Sequence, residues 1–129
     1  VAAKLPTLGM MVEVPAAALN VATFDAEFFS IGSNDLVQYV MAAGRDTSGL
    51  AHLQDALNPA VLELIGRVAK HGLGQNIEVS VCGEMASQPK AIPALLDAGI
   101  KVLSVPASSL GRVKAILAMY SKNEVPTVA

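Results

Sequence analysis

The sequence predicts an α/β protein built from four strand–helix units. Four short apolar runs alternate along the chain with segments of helical periodicity. Strands that alternate with helices pair in parallel, because each helix carries the chain back to the starting edge of the sheet. The strand runs are apolar at consecutive positions, so we expect helices to cover both of their faces. With 53% apolar residues among 129, the chain has ample material for one buried core.

The first two units occupy the first third of the chain. The apolar run 8–14 predicts the first strand, and Pro15 after it suits the first turn of a helix. A second strand is expected over 27–33, followed by a helix over 33–43. Three polar residues can cap the first turn of that helix: Ser33, Asn34 and Asp35.

An irregular stretch over 43–58 separates the second strand–helix unit from a long helix. Asn58 and Pro59 are typical of an N-cap and a first helical position. Helical spacing continues from there until Gly72 and Gly74, which we expect to end the helix.

The last two units follow in the same order. A third strand is predicted over 77–82, and the helix that follows it over 87–99. Pro93 within this segment marks either a kink or the true start of the helix. A fourth strand over 101–105 precedes the last helix, which Ser108 and Ser109 can cap and in which Leu110 should point inward.

Four units are too few for a closed eight-stranded barrel, so they fit either a small open sheet or half of a barrel. The chain starts without Met and enters a strand-like run almost at once, which favours a segment of a longer protein. We expect one domain over 1–120 and a patternless tail over 121–129.

Composition excludes several functional classes. The formal net charge is −2 and Trp is absent, so neither a basic stripe nor a stacking platform for nucleic acid is expected. No apolar run approaches the roughly 18 residues of a membrane span, so no membrane insertion is expected. The single cysteine cannot form an internal disulfide, which fits a reducing, cytoplasmic setting.

Two carboxylates follow the first two predicted strands. Glu13 and Asp35 lie about one strand–helix unit apart, and parallel strands end at the same edge of a sheet. Two carboxylates at neighbouring positions repel unless a cation lies between them, and Mg²⁺ accepts such ligands together with phosphate oxygens. The plainer alternative is that Glu13 is a solvated loop residue and Asp35 a helix cap.

Other polar groups fall at the same edge. Asn34 lies at a predicted helix N-terminus, where main-chain N–H groups bind anions. Arg45 can reach over this edge to hold a phosphate or carboxylate, although a lone loop arginine is more often solvated. Cys82 ends the third strand and is either an inert core thiol or a group directed at a substrate.

Four segments together resemble a known family. GMMVEVPAAA, FFSIGSNDLVQYVMAAGRD, LNPAVLELI and VCGEMASQP occur in the order and spacing of the phosphoenolpyruvate-utilising enzymes. The resemblance is closest to Enzyme I of the bacterial sugar phosphotransferase system, the phosphoenolpyruvate–protein phosphotransferases, and covers about residues 8–118. It implies that the four units form the second half, strands five to eight, of a TIM (β/α)₈ barrel.

The resemblance implies a role for each polar residue at this edge. Glu13 and Asp35 are similar to the family's Mg²⁺ ligands, and Asn34 and Arg45 to residues that contact phosphoenolpyruvate. Cys82 is similar to the proton donor that converts the enolate of pyruvate into pyruvate. A thiol is protonated at neutral pH, which suits that role.

The resemblance also implies partners outside this chain. They are a phosphohistidine domain, a small phosphocarrier protein and, in the full-length protein, a second copy in a cytoplasmic homodimer. The family's other substrate-binding arginines belong to the first half-barrel, so we expect these 129 residues alone to be inactive.

Two alternatives stay open. A pyruvate phosphate dikinase or phosphoenolpyruvate synthase is disfavoured, because Met85 and its neighbours stand where dikinases usually carry a histidine. A non-catalytic half-barrel could instead associate with itself through apolar faces.

Overall fold

The computed structural model describes residues 5–44 and 49–123 and places four strands in one parallel sheet. The strands are β1 (Gly9–Val12), β2 (Phe28–Gly32), β3 (Glu78–Cys82) and β4 (Val102–Leu103). Their order across the sheet is the order along the chain, and each pairs in parallel with the next. The predicted α/β class and the four strands are therefore confirmed.

Helices connect and follow the strands. They are α1 (Pro15–Leu19), α2 (Ser33–Val40), α3 (Pro59–Gln75), α4 (Ala91–Asp97) and α5 (Leu110–Asn123). Short 3₁₀ turns cover Val21–Thr23, Ala51–Leu53, Glu84–Ser87 and Ala107–Ser109. None of the helices in this part of the chain is long and apolar enough to cross a membrane.

The sheet is covered on one face only. Strand residues that alternate along β1, β2 and β3 are buried beneath the helices: Val12, Phe29, Ile31, Val79 and Val81. The positions between them are more exposed, among them Met11 at 46% and Phe28 at 36%. Because the strand order never reverses, right-handed crossovers put every connecting helix on the same side. The expectation of two covered faces was therefore wrong.

The ends of α3 show why its sequence forms a long helix. The Asn58 side chain caps the start by accepting a hydrogen bond from the Ala60 N–H at 3.0 Å. The two glycines predicted to end α3 lie inside it, and the helix ends at Asn76, which has left-handed backbone angles. A Cβ at Gly72 would lie 2.3 Å from the Val79 side chain, so this glycine permits close helix–sheet packing instead.

The last two helices also depart in detail from the prediction. Helix α4 begins at Ala91, so the predicted start at 87 was wrong and Pro93 does not mark the true start. Pro93 lies in the first turn, where its missing N–H breaks no helical hydrogen bond. Leu110 is the first residue of α5 and is 45% exposed, so the prediction that it points inward was wrong. The buried apolar residue of α5 is Val113, one turn further on.

Candidate functional site

Glu13, Gly32 and Cys82 form a row across the carboxyl ends of β1, β2 and β3. Gly32 pairs with Cys82, and the pairing of Val12 with Ile31 brings Glu13 level with Gly32. A Cβ added to Gly32 would lie only 2.8 Å from Glu13 Oε2, so the carboxylate leans over the glycine. Neighbouring strands are about 4.8 Å apart, so the backbones at Glu13 and Cys82, two strands apart, are separated by about 10 Å. A small ligand over Gly32 would therefore reach both side chains.

The thiol of Cys82 lies on the uncovered face of the sheet. It is half-buried and donates a hydrogen bond to the main-chain oxygen of Ile31 at 3.5 Å. Cys82 is also one of the residues that line a cavity of about 490 Å³, together with Asn34, Glu84 and Ser104. The thiol is thus accessible from the edge where the sequence places the other polar groups, which favours the substrate-directed interpretation over an inert core thiol.

Side chains at the start of α2 hold the main chain that follows β3. The Ser33 hydroxyl, which is fully buried, donates to the Cys82 carbonyl at 2.6 Å. The Asn34 Oδ1 accepts from the Glu84 N–H at 3.0 Å. The N-cap position of α2 is occupied by Gly32, which has no side chain, so Ser33, Asn34 and Asp35 lie one to three residues inside the helix and none of them is its N-cap residue. These polar groups join two strand ends instead.

Gly83 lies between the two hydrogen bonds and must be glycine. Its φ is +95°, a region that residues with a Cβ rarely adopt. A Cβ there would lie 2.5 Å from Ser33 Oγ and 2.8 Å from Asn34 Oδ1. The close approach of β3 to α2 therefore depends on this glycine.

Asp35 lies in the first turn of α2, three residues after Gly32, and is half-buried. Its position brings a second carboxylate to the edge where Glu13 lies. Within residues 5–44 and 49–123, no three or more His, Cys, Asp and Glu side chains are grouped so that they could hold a metal ion by themselves. A pair of carboxylates completed by water and substrate oxygens is the ligand set that Mg²⁺ uses. The metal role of both residues stays a prediction, and Arg45 lies outside the described residues.

Two serines, Ser30 and Ser33, contribute hydrogen bonds to the site that the local sequence does not predict. The sequence predicts Ser33 as a helix cap at a strand end and assigns no role to Ser30, whose hydroxyl contacts Cys82 Sγ. Their partners lie 49 and 52 residues further along the chain, so no local pattern identifies them. One sequence signal is that Ser30 lies inside the short apolar strand β2 and Ser33 directly after it, where a buried polar group requires a partner.

Comparison with known proteins agrees with this geometry. The family model described as "PEP-utilising enzyme, PEP-binding domain" matches residues 2–122. The chain belongs to the PEP-utilising enzymes. It is 44% identical over 124 residues to the phosphoenolpyruvate-protein phosphotransferase of Mycoplasma pneumoniae, covering 95% of this chain and 22% of that protein. Similar proteins of the same name occur in Bacillus sp. (43% identity, 94% of this chain, 21% of the relative) and Haloferax volcanii (43%, 92% and 21%).

Membership in the PEP-utilising enzymes confirms the resemblance seen in the four sequence segments. The match extends through all four strands and the residues at their carboxyl ends. The chain spans about a fifth of the length of the curated relatives it matches.

Proposed function

We propose that this chain supplies part of the phosphoenolpyruvate site of a PEP-dependent protein phosphotransferase. The observation that carries the proposal is the row of Glu13, Gly32 and Cys82, with Asn34 held beside it. A carboxylate at one end, a thiol at the other and an open glycine between them suit a small anionic substrate that must receive one proton. The similarity to phosphoenolpyruvate-protein phosphotransferases supports the same substrate.

Glu13 and Asp35 would hold Mg²⁺ at this edge. The fit rests on the carboxylate of Glu13, which occupies the space a Gly32 side chain would fill, and on Asp35 at the end of the adjacent strand. Bound Mg²⁺ would neutralise negative charge on the phosphate and on the developing enolate. The two carboxylates would orient the substrate by fixing the position of the cation that its anionic oxygens approach.

Asn34 would contact the substrate phosphate through its NH₂ group. Its Oδ1 already accepts the Glu84 N–H, so the Nδ2 end remains to donate. Main-chain N–H groups in the first turn of α2 favour an anion at the same place. Arg45 adds a positive charge in this proposal, as the family resemblance implies.

Cys82 would donate the proton that completes the reaction. As the phosphoryl group leaves for a histidine on a separate domain, the P–O bond breaks and an enolate remains. The S–H bond of Cys82 then breaks, a C–H bond forms at the methylene carbon, and a thiolate is left to recover a proton from solvent. Neither histidine of this chain is assigned as the phosphoryl acceptor, because neither His52 nor His71 matches the family's acceptor on its separate domain, and His71 packs edge-on against Phe29 with ring centroids 6.0 Å apart.

The architecture fits the second half, strands five to eight, of a TIM barrel. An unreversed strand order with all connecting helices on one face is what a segment of such a barrel has. In this proposal the other half-barrel closes the uncovered face and brings further arginines. The phosphohistidine domain, a phosphocarrier protein of a sugar transport system and a cytoplasmic homodimer complete the assembly, and the isolated chain is inactive.

The proposal is tested in the full-length gene product by measuring pyruvate release from phosphoenolpyruvate against Mg²⁺ concentration. Glu13→Gln and Asp35→Asn should each raise the Mg²⁺ concentration needed for half-maximal activity by about tenfold or more, because loss of an ionised ligand removes a charge-assisted contact. Glu63→Gln, an exposed position on α3, is the matched control and should behave as wild type. An unchanged Mg²⁺ dependence in both variants, or no pyruvate from the wild type, would overturn the proposal.

A further inference from the structure

A hydroxyl group contacts the Cys82 thiol from the neighbouring strand. Ser30 Oγ lies 3.8 Å from Cys82 Sγ, within hydrogen-bond distance for sulfur, and donates to it. The thiol in turn donates to the main-chain oxygen of Ile31 at 3.5 Å. The three groups form a chain in which the thiol proton lies on the Ile31 side and the serine proton points at sulfur.

The register of the sheet produces this contact. Cys82 pairs with Gly32, and Ser30 lies two residues earlier on the same face of β2, which makes it a diagonal neighbour. Because Gly32 has no side chain, Ser30 is the first side chain of β2 that the thiol meets on this face. Both residues are half-buried, so water only partly competes for the hydrogen bond.

We propose that Ser30 is a positioning residue for proton transfer: it holds the sulfur of Cys82 and stabilises the thiolate left after the proton is donated. This inference rests on the proposed function. When the S–H bond breaks, its electron pair stays on sulfur and the contact with the Ile31 oxygen is lost, since that oxygen only accepts. The Ser30 hydroxyl still donates, and a hydrogen bond to the charged form favours that form.

The acidic side chains around the thiol explain why an uncharged hydrogen-bond donor suits this position. Glu13 lies across Gly32, Asp35 lies at the start of α2, and Glu84 lines the same cavity as the thiol. All three are acidic side chains, so a positively charged donor placed beside the thiol would also pair with them. A neutral donor such as the serine hydroxyl stabilises the thiolate without adding a positive charge that would compete with a metal cation for the carboxylates.

The test uses Ser30→Thr and Ser30→Val in the full-length gene product, because these two variants have the same shape and differ in the hydroxyl group. Cys82 is alkylated with iodoacetamide over a range of pH, and peptide mass spectrometry localises the label. Ser30→Thr should follow the wild-type profile, whereas the profile of Ser30→Val should shift to higher pH. At neutral pH the Val variant should react about threefold more slowly, since a roughly tenfold loss of thiolate is partly offset by higher nucleophilicity. Ser80→Ala is the control, because that hydroxyl donates to the Phe29 carbonyl instead.

The same variants are then compared in pyruvate formation at saturating Mg²⁺ and phosphoenolpyruvate. Ser30→Val should lower kcat several-fold relative to Ser30→Thr with little change in KM. The proposal would be overturned, in favour of a packing role, if the Val and Thr variants had the same alkylation profile or if both lost the same fraction of kcat. If alkylation separates them but Cys82→Ala leaves pyruvate formation intact, the role in proton transfer is overturned, and the failure lies in the proposed function rather than in the contact.

Discussion

The side-chain oxygen of Asn34 accepts a hydrogen bond from the main-chain N–H of Glu84 at 3.0 Å, across 50 residues of sequence. A main-chain N–H only donates, so the amide of Asn34 must present its oxygen to it and its NH₂ group elsewhere. One side chain therefore links α2 to the turn after β3 and offers a donor to a ligand. These two properties can be separated by mutation.

Asn34→Asp should preserve the link and remove the donor. A carboxylate still accepts the Glu84 N–H, so the urea unfolding midpoint should stay close to wild type. The NH₂ group becomes a negative oxygen that repels phosphate, so the Kd for phosphoenolpyruvate, measured by calorimetry with Mg²⁺, should rise about tenfold or more. Asn34→Ala is the comparison and should lose about 1 kcal/mol of stability as well as affinity. Wild-type affinity in Asn34→Asp would exclude Asn34 from phosphate binding.

Gly83→Ala should destabilise the protein by more than Gly49→Ala. Both glycines have φ near +90°, and each substitution costs about 1–3 kcal/mol of backbone strain. Only at Gly83 does the new Cβ also meet side chains, 2.5 Å from Ser33 Oγ and 2.8 Å from Asn34 Oδ1, whereas it meets nothing within 4 Å at Gly49. Urea denaturation of both variants gives the difference. Equal losses of unfolding free energy in the two variants would show that the protein accommodates the Gly83 Cβ between β3 and α2 without added cost.

Much of the fold follows from local pattern, because strand and helix periodicity reflects which side chains face the core. The alternation of Val79 and Val81 with Ser80 marks the single covered face of β3, although the apolar run as a whole predicts two covered faces. Which face of the sheet the helices cover depends on the order of the strands across the sheet. That order is set by contacts between distant segments, so a short stretch of sequence cannot predict it.

The candidate site was predictable only in part. Glu13, Asp35 and Cys82 stand out because charged and reactive groups are rare at strand ends in so apolar a chain. Ser33 resembles an ordinary helix cap, and its actual partner, the Cys82 carbonyl, lies on another strand. Local sequence reports residue types at an edge of the sheet, whereas the hydrogen bonds between them depend on the register of strands far apart in the chain.

Gly32→Ala should weaken Mg²⁺-dependent substrate binding while leaving the fold intact. The new Cβ would lie 2.8 Å from Glu13 Oε2 and 3.0 Å from Glu13 Cβ, so the carboxylate must move. The Kd for phosphoenolpyruvate with Mg²⁺ should rise about tenfold, since a displaced ligand loses one charge-assisted contact. Gly74→Ala in α3 is the control: it meets nothing within 4 Å and should stabilise the helix by up to about 1 kcal/mol. Unchanged metal dependence in Gly32→Ala would separate Glu13 from the metal.

Cys82→Ala should block pyruvate formation far more than it weakens substrate binding. Removal of a general acid typically lowers the rate by about 100-fold or more, whereas the carboxylates and amides that would hold the substrate remain in place. The thiol borders the same cavity as Asn34 and Glu84, so its loss leaves space rather than a clash. Pyruvate release and the Kd for Mg²⁺ and phosphoenolpyruvate are measured on one preparation of the full-length gene product, with Cys82→Ser as the isosteric comparison. A hydroxyl is a much weaker acid than a thiol, so Cys82→Ser should restore shape without restoring the rate. A parallel loss of binding and pyruvate formation in both variants would assign Cys82 to packing at the end of β3, and full activity in Cys82→Ser would show that shape alone is required.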